Sequence, residues 1–146
     1  MKLTEAPPLG MLVSLVQKRI QQLITLELEP LGLTPQQFWV VLLLDEGRLD
    51  SVQAVGQRIG IDKPAASRLV EQLVARRWAK LERGDGRRRP VELTAAGRRQ
   101  AAKFRALAMR MAAEMDHGLA PIEEAAMRKG LGRMMANLDA ALGKIR

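Results

Sequence analysis

Ser51-Val52-Gln53-Ala54-Val55-Gly56-Gln57-Arg58-Ile59-Gly60-Ile61-Asp62-Lys63-Pro64-Ala65-Ala66-Ser67-Arg68-Leu69-Val70 carries the signals of two helices that meet at a sharp corner. Ser51 is suited to cap a helix over Val52 to Ile59, because its hydroxyl can accept from an unpaired N–H of the first turn. Gly60 suits the end of that helix and Asp62 the cap of the next, with only Ile61 between them. The second helix should run from Lys63 to about Arg76. It places Ala66, Leu69, Val70 and Leu73 on one face and Lys63, Pro64, Ser67, Arg68 and Glu71 on the other. The period then changes: Ala79 to Arg83 and Arg89 to Leu93 alternate as strands do around Gly84-Asp85-Gly86, which implies a β-hairpin with a basic tip. Pro90 has no N–H to donate to a ladder, so its strand should be an edge at that point.

Towards the N-terminus, Leu12, Leu15, Val16, Ile20, Leu23, Ile24 and Leu28 recur at helical spacing and predict a long amphipathic helix that stops near Pro30 and Gly32. Thr34-Pro35-Gln36-Gln37 supplies an N-cap, a proline for the first helical position and a capping-box glutamine. The helix that follows, Phe38 to Leu44, is apolar nearly all round, as a buried core helix is, and Gly47 should end it. Leu49-Asp50-Ser51 reads either as a short edge strand or as the entry to the next helix. Towards the C-terminus, Thr94 caps a helix in which Ala101, Phe104, Ala108, Met111 and Met115 share a stripe. A break at Gly118-Leu119-Ala120-Pro121 leads into a last helix, where Met127, Leu131, Met134, Leu138, Ala141 and Ile145 recur about every 3.5 residues. The fold class expected is mainly α with a small β-hairpin.

The 146 residues suffice for one domain, and 47% hydrophobic with 27% charged residues is ordinary globular usage. The formal charge of +8 is unevenly spread. Residues 1–50 hold 4 Lys and Arg against 6 Asp and Glu, residues 51–105 hold 14 against 5, and residues 106–146 hold 6 against 5. The middle segment alone is +9, more than the whole chain's surplus, and it coincides with the helix pair and hairpin. A polyanionic partner follows, with double-stranded DNA first and an anionic membrane surface second. The bland alternative is a solvated basic face. With no cysteine there is no disulfide, thiolate nucleophile, sulfur-ligated zinc or thiol redox sensor. No apolar run is long enough to cross a bilayer, the start Met1 to Pro8 lacks a secretory signal, and a cytoplasmic protein with no membrane partner is expected.

Two helices at a tight turn followed by a hairpin spell a winged helix-turn-helix. In such a unit the N-terminal residues of the second helix reach base edges in the major groove, and the positive end of its dipole favours phosphate. Lys63, Pro64, Ala65, Ser67 and Arg68 are the expected readers. Arg68 suits a bidentate contact to guanine, Ser67 a base or phosphate, and Pro64 and Ala65 a thymine methyl. Asp62 is read as a cap, since its charge repels DNA. Ser51 and Gln53 are either phosphate contacts or, respectively, a cap and a solvated side chain. In the tip Asp85-Gly86-Arg87-Arg88-Arg89, three guanidinium groups suit the narrow minor groove or phosphates, and Asp85 can pair with an arginine and aim it. An enzyme is disfavoured by one histidine, no cysteine, no tyrosine and no glycine-rich phosphate loop. His117, beside Gly118 at a helix end, reads as a surface residue, so no metal and no cofactor are expected. The remaining rival is a protein-interaction adaptor that keeps the winged-helix scaffold without DNA binding. Lys63, Arg68 and Arg87 to Arg89 argue against it.

From Leu31 to Gly97 these residues resemble the MarR family of bacterial transcriptional regulators, and weakly its SlyA-like branch. The likeness rests on Leu33-Thr34 with Gln37-Phe38, on Val55 to Lys63, on Ser67 to Leu73, and most specifically on Asp85-x-Arg87 followed by Leu93-Thr94-x-x-Gly97. The resemblance implies a single MarR-like domain over 1–146, with dimerisation helices at 9–30 and 98–146 around a winged helix-turn-helix at 34–97. It implies a homodimer on a palindromic operator, with Arg87 as the wing arginine and Asp85 as its acidic partner. The chain departs from the family at Gly86, where arginine is frequent, at Arg77, where glycine is common, and at Gly56, where alanine is usual. The family often answers phenolic compounds, but no residue here identifies a small-molecule effector.

Overall fold

Phe38, Val40 and Val41 are wholly buried, and the helix that carries them is the centre of the molecule's main core. The computed structural model describes residues 6–82 and 89–145. Its elements in order are α1 (Leu9–Leu28), a short 3₁₀ turn (Glu29–Leu31), α2 (Pro35–Asp45), α3 (Val52–Ile59), α4 (Lys63–Ala75), β1 (Ala79–Leu81), β2 (Val91–Leu93), α5 (Ala95–Asp116) and α6 (Pro121–Gly143). The chain is thus mainly helical with a two-stranded antiparallel hairpin. It divides into two compact units, residues 1–111 and 112–146.

In the first unit, local chemistry sets the boundaries. Gly32 closes the 3₁₀ turn at φ 64°. Thr34 and Gln37 form the expected capping box: the Thr34 hydroxyl accepts from the Gln37 N–H, and the Gln37 carboxamide accepts from the Thr34 N–H, both at 3.2 Å. α2 then packs between α1, α4 and β2. Phe38 meets Phe104 of α5 at 5.3 Å between ring centroids, and Trp78 stands edge-on to Phe104 at 5.8 Å. Two ion pairs of 2.7 Å, Arg105 with Asp45 and Arg110 with Glu27, brace α5 against α2 and α1 from the surface. Exposed pairs of this kind are worth about 0–1 kcal/mol each.

The strands are shorter than the alternation implied. Ala79 pairs with Leu93, Lys80 with Glu92 and Leu81 with Val91, and there the ladder stops. The Glu82 N–H still donates to the Pro90 carbonyl at 3.0 Å, but Pro90 has no N–H to return, so the next rung is half missing. Nor is Pro90 at an open edge, as the sequence implied. Ser51 bridges it from the other side, with the Val52 N–H donating to the Arg89 carbonyl (3.1 Å) and the Val91 N–H to the Asp50 carbonyl (2.9 Å). A proline is tolerated here because these bonds use its neighbours' groups. The segment before α3 is therefore both things the sequence allowed, a one-residue strand and a helix entry.

In the second unit, Gly118 adopts φ 81° and Pro121 opens α6. Glu123 reaches back to the Ala120 N–H at 2.8 Å. Arg128 pairs with Glu124 one turn earlier at 2.6 Å, and this hydrogen bond, with the charge of the same carboxylate, raises the Arg128 pKa. None of the residues described in α6 is buried, although Met127, Leu131, Leu138 and Leu142 run along it. No helix among the described residues is long and apolar enough to cross a membrane.

Candidate nucleic-acid interface

The corner between α3 and α4 is built from small residues. Gly60 ends α3 in the left-handed region at φ 70°, where a side chain would be strained, and its N–H and that of Ile61 both turn back to the Gly56 carbonyl. A Cβ on Gly56 would lie 3.2 Å from the Ile61 carbonyl oxygen and 3.3 Å from the Ala66 Cβ, so the two helices touch where no larger side chain fits without movement. Asp62 begins α4, its carboxylate accepting from the Ala65 N–H at 2.8 Å. Its expected role as a cap is therefore present in the geometry.

α4 then divides along its length into two faces. Ala66, Leu69, Val70 and Leu73 are buried against the core. Lys63, Pro64 and Arg68 are exposed, while Ala65 and Ser67 are half-buried. No carboxylate among the described residues lies within ion-pairing distance of Lys63 or Arg68.

Beside this face lies an open groove of about 480 Å³. Lys63 and Ser67 form one wall, Gln53 and Gln57 of α3 the other, and Arg89 closes the wing end. Apolar Val52, Gly56, Ile61 and Ala66 line the remainder. The structure thus brings Gln53, Lys63, Ser67 and Arg89 together, although they are distant in sequence. Gln57 belongs with them and was not singled out from the sequence. Its spacing of four from Gln53, on the same helical face, was the available signal.

Ser51 does not join this group. It is 5% exposed and its hydroxyl oxygen accepts from the Ala54 N–H at 3.1 Å, so of the two readings open to it the cap is the one present. Asp85, Arg87 and Arg88 lie outside the described residues.

The base of the wing explains the Leu93-Thr94-x-x-Gly97 motif. The Thr94 hydroxyl donates to the Arg77 carbonyl at 2.7 Å and accepts from the Gly97 N–H at 3.0 Å, while the Thr94 N–H donates to the Trp78 carbonyl at 2.9 Å. A Cβ on Gly97 would stand 2.0 Å from that same Trp78 oxygen. Thr94 and Gly97 therefore hold α5 against the turn that joins α4 to β1, and through it fix where the wing leaves the body.

A family model described as the MarR family matches residues 31–89. No curated protein sequence matches the chain at a significant level. Among solved structures, wild-type MarR from E. coli in its apo form is 24% identical with a TM-score of 0.74, covering 89% of this chain and 98% of that one. The transcriptional regulator SlyA is 15% identical at a TM-score of 0.76, with 92% and 96% covered. A MarR-family transcriptional regulator from Rhodococcus sp. RHA1 is 22% identical at 0.72, with 86% and 90% covered. All three are likenesses of fold.

Proposed function

We propose that the protein, whose residues 31–89 match a model of the MarR family, is a sequence-specific regulator of transcription that binds double-stranded DNA. It acts in the cytoplasm as a homodimer on a palindromic operator, most simply as a repressor and not as an enzyme. The observation that carries this reading is the N-terminal half of α4, where Lys63 and Ser67 line one groove with Gln53 and Arg89, and Arg68 is exposed on the same helix, neither cation pairing with a carboxylate among the described residues. Arg68 is assigned to base recognition and Lys63 to phosphate near the positive end of the helix dipole. Ser67 bonds a base or phosphate, and Pro64 and Ala65 contact a thymine methyl. Gln53 and Arg89 grip the backbone, and Arg87, aimed by Asp85 and assisted by Arg88, enters the minor groove.

The homodimer is supported by apolar surface left uncovered in the single chain. Leu9, Met11, Leu12 and Val16 on α1 are all exposed, as are Ile122, Met127, Leu131 and Leu138 on α6. Stripes this long mark association surfaces on soluble chains. Two copies related by a twofold axis present two recognition helices to major grooves about 34 Å apart. A small-molecule effector then acts by changing that separation or the angle between the helices.

The deciding experiment is selection of bound duplexes from random DNA. The expected product is an inverted repeat with half-sites about one helical turn apart. No enrichment at low ionic strength removes the reading.

A further inference from the structure

We propose that Arg76 is a positioning residue that sets the angle at which α4 meets DNA, by pinning the far end of that helix to the junction between α1 and α2. The proposal rests on the DNA-binding reading above. The buried face of α4 is apolar, and apolar contact is non-directional, so it resists separation better than tilt. Direction comes instead from two polar links near the helix C-terminus. Gln72 accepts from the Gln37 carboxamide at 2.9 Å, and Gln37 is itself held in the capping box that starts α2. Arg76 donates from Nη2 to the carbonyl of Gly32, and its guanidinium centre lies 4.9 Å from the Trp78 ring centroid. Among the described residues, the only side-chain hydrogen bond at the other end of α4 is the cap of Asp62, which is local to the helix.

The reading residues thus sit at the end of α4 that is held to α3 by apolar contact and the turn at Gly60, with no side-chain hydrogen bond to another element among the described residues. α4 has 13 residues. At about 1.5 Å per residue, Arg68, the assigned base reader, lies roughly 12 Å from the pin, and a tilt of about 5° moves it by about 1 Å. That is enough to break a bidentate base contact while leaving phosphate attraction, which tolerates distance, largely in place.

The test compares the wild-type chain with Arg76→Ala and Arg76→Lys. The probes are a duplex enriched from random DNA by the wild type and an unselected duplex of equal length. Arg76→Ala should bind the enriched duplex about tenfold more weakly, with unchanged affinity for the unselected duplex and an unchanged salt slope. Arg76→Lys keeps a donor for Gly32 and should recover most of the loss. A salt slope reduced by about one in Arg76→Ala but kept in Arg76→Lys, whose ammonium still neutralises a phosphate, makes Arg76 a phosphate contact and overturns the proposal, as does equal weakening on both duplexes. Amide exchange of the free proteins gives a readout independent of DNA. Arg76→Ala should speed exchange together in residues 29–38 and 70–78 and leave 52–60 unchanged, whereas a change confined to residues 75–78 also overturns the proposal. Failure of the wild type to bind any duplex sinks the DNA reading instead, and the exchange pattern then decides the pin alone.

Discussion

Arg77 holds φ at 61°, in the left-handed region where a side chain crowds the following carbonyl. The sequence had marked it as a departure from a position where the resembled family commonly has glycine, and the backbone supplies the reason. Arg77→Gly should stabilise the protein by about 0.5–1 kcal/mol, because relief of crowding exceeds the extra freedom of the unfolded chain. Chemical denaturation reads the shift. Gly97 is the opposite case, since a Cβ there would meet backbone, which cannot rotate away. Gly97→Ala should cost about 3 kcal/mol, and a denaturation midpoint equal to wild type would refute the close approach. Arg68 is exposed and takes no part in the core, and the proposed function assigns it to base recognition. Arg68→Ala should cost about 1–3 kcal/mol on the preferred duplex and relax the choice at one base step in a randomised-site selection, with the unfolding midpoint unchanged.

Ser51 shows how an element takes its meaning from neighbours far along the chain. It caps α3 and bridges Pro90, tying the first helix of the pair to the second wing strand. Its backbone makes the bridge and its side chain the cap. Ser51→Ala should therefore lower stability by about 1 kcal/mol while leaving the salt dependence of DNA binding as it was. A flatter salt dependence in that variant would restore Ser51 as a phosphate contact. For the wing, Arg87→Ala should weaken binding and reduce the salt slope by about one phosphate, measured by titration across a range of salt. Identical slopes would place the arginine elsewhere. The helix boundaries of the central unit were legible residue by residue, because Thr34, Ser51, Gly60 and Asp62 act within four positions of themselves. The strand lengths were not, because the alternation runs past Pro90 while the ladder stops before it.

At the scale of the whole molecule, the apolar stripe of α1 has two fates. Ile24 and Leu28 are buried and Ile20 and Leu23 half-buried, whereas Leu12, Leu15 and Val16 remain exposed. On α6 the stripe is half-buried at Met134 and otherwise exposed, with Leu131 at 41% and Leu138 at 58% exposure. The double substitution Leu131→Glu with Leu138→Glu should give a soluble monomer by sedimentation that has lost tight binding to a two-half-site duplex. A variant still dimeric would move the interface away from α6.

The order of the helices, the corner at Gly60-Ile61-Asp62, the hairpin and the concentration of cations in the middle of the chain were all determined by the sequence alone. Caps, breakers and periodicities are short-range and are written within a few residues of where they act. Only the tertiary structure decided that Ser51 faces inward, that Gln57 and Arg89 share a groove with Lys63, that Arg76 reaches Gly32, and that Gly97 must leave room for Trp78. Each of these joins positions that come together only when the core around Phe38 closes, and no local spacing encodes how a core closes.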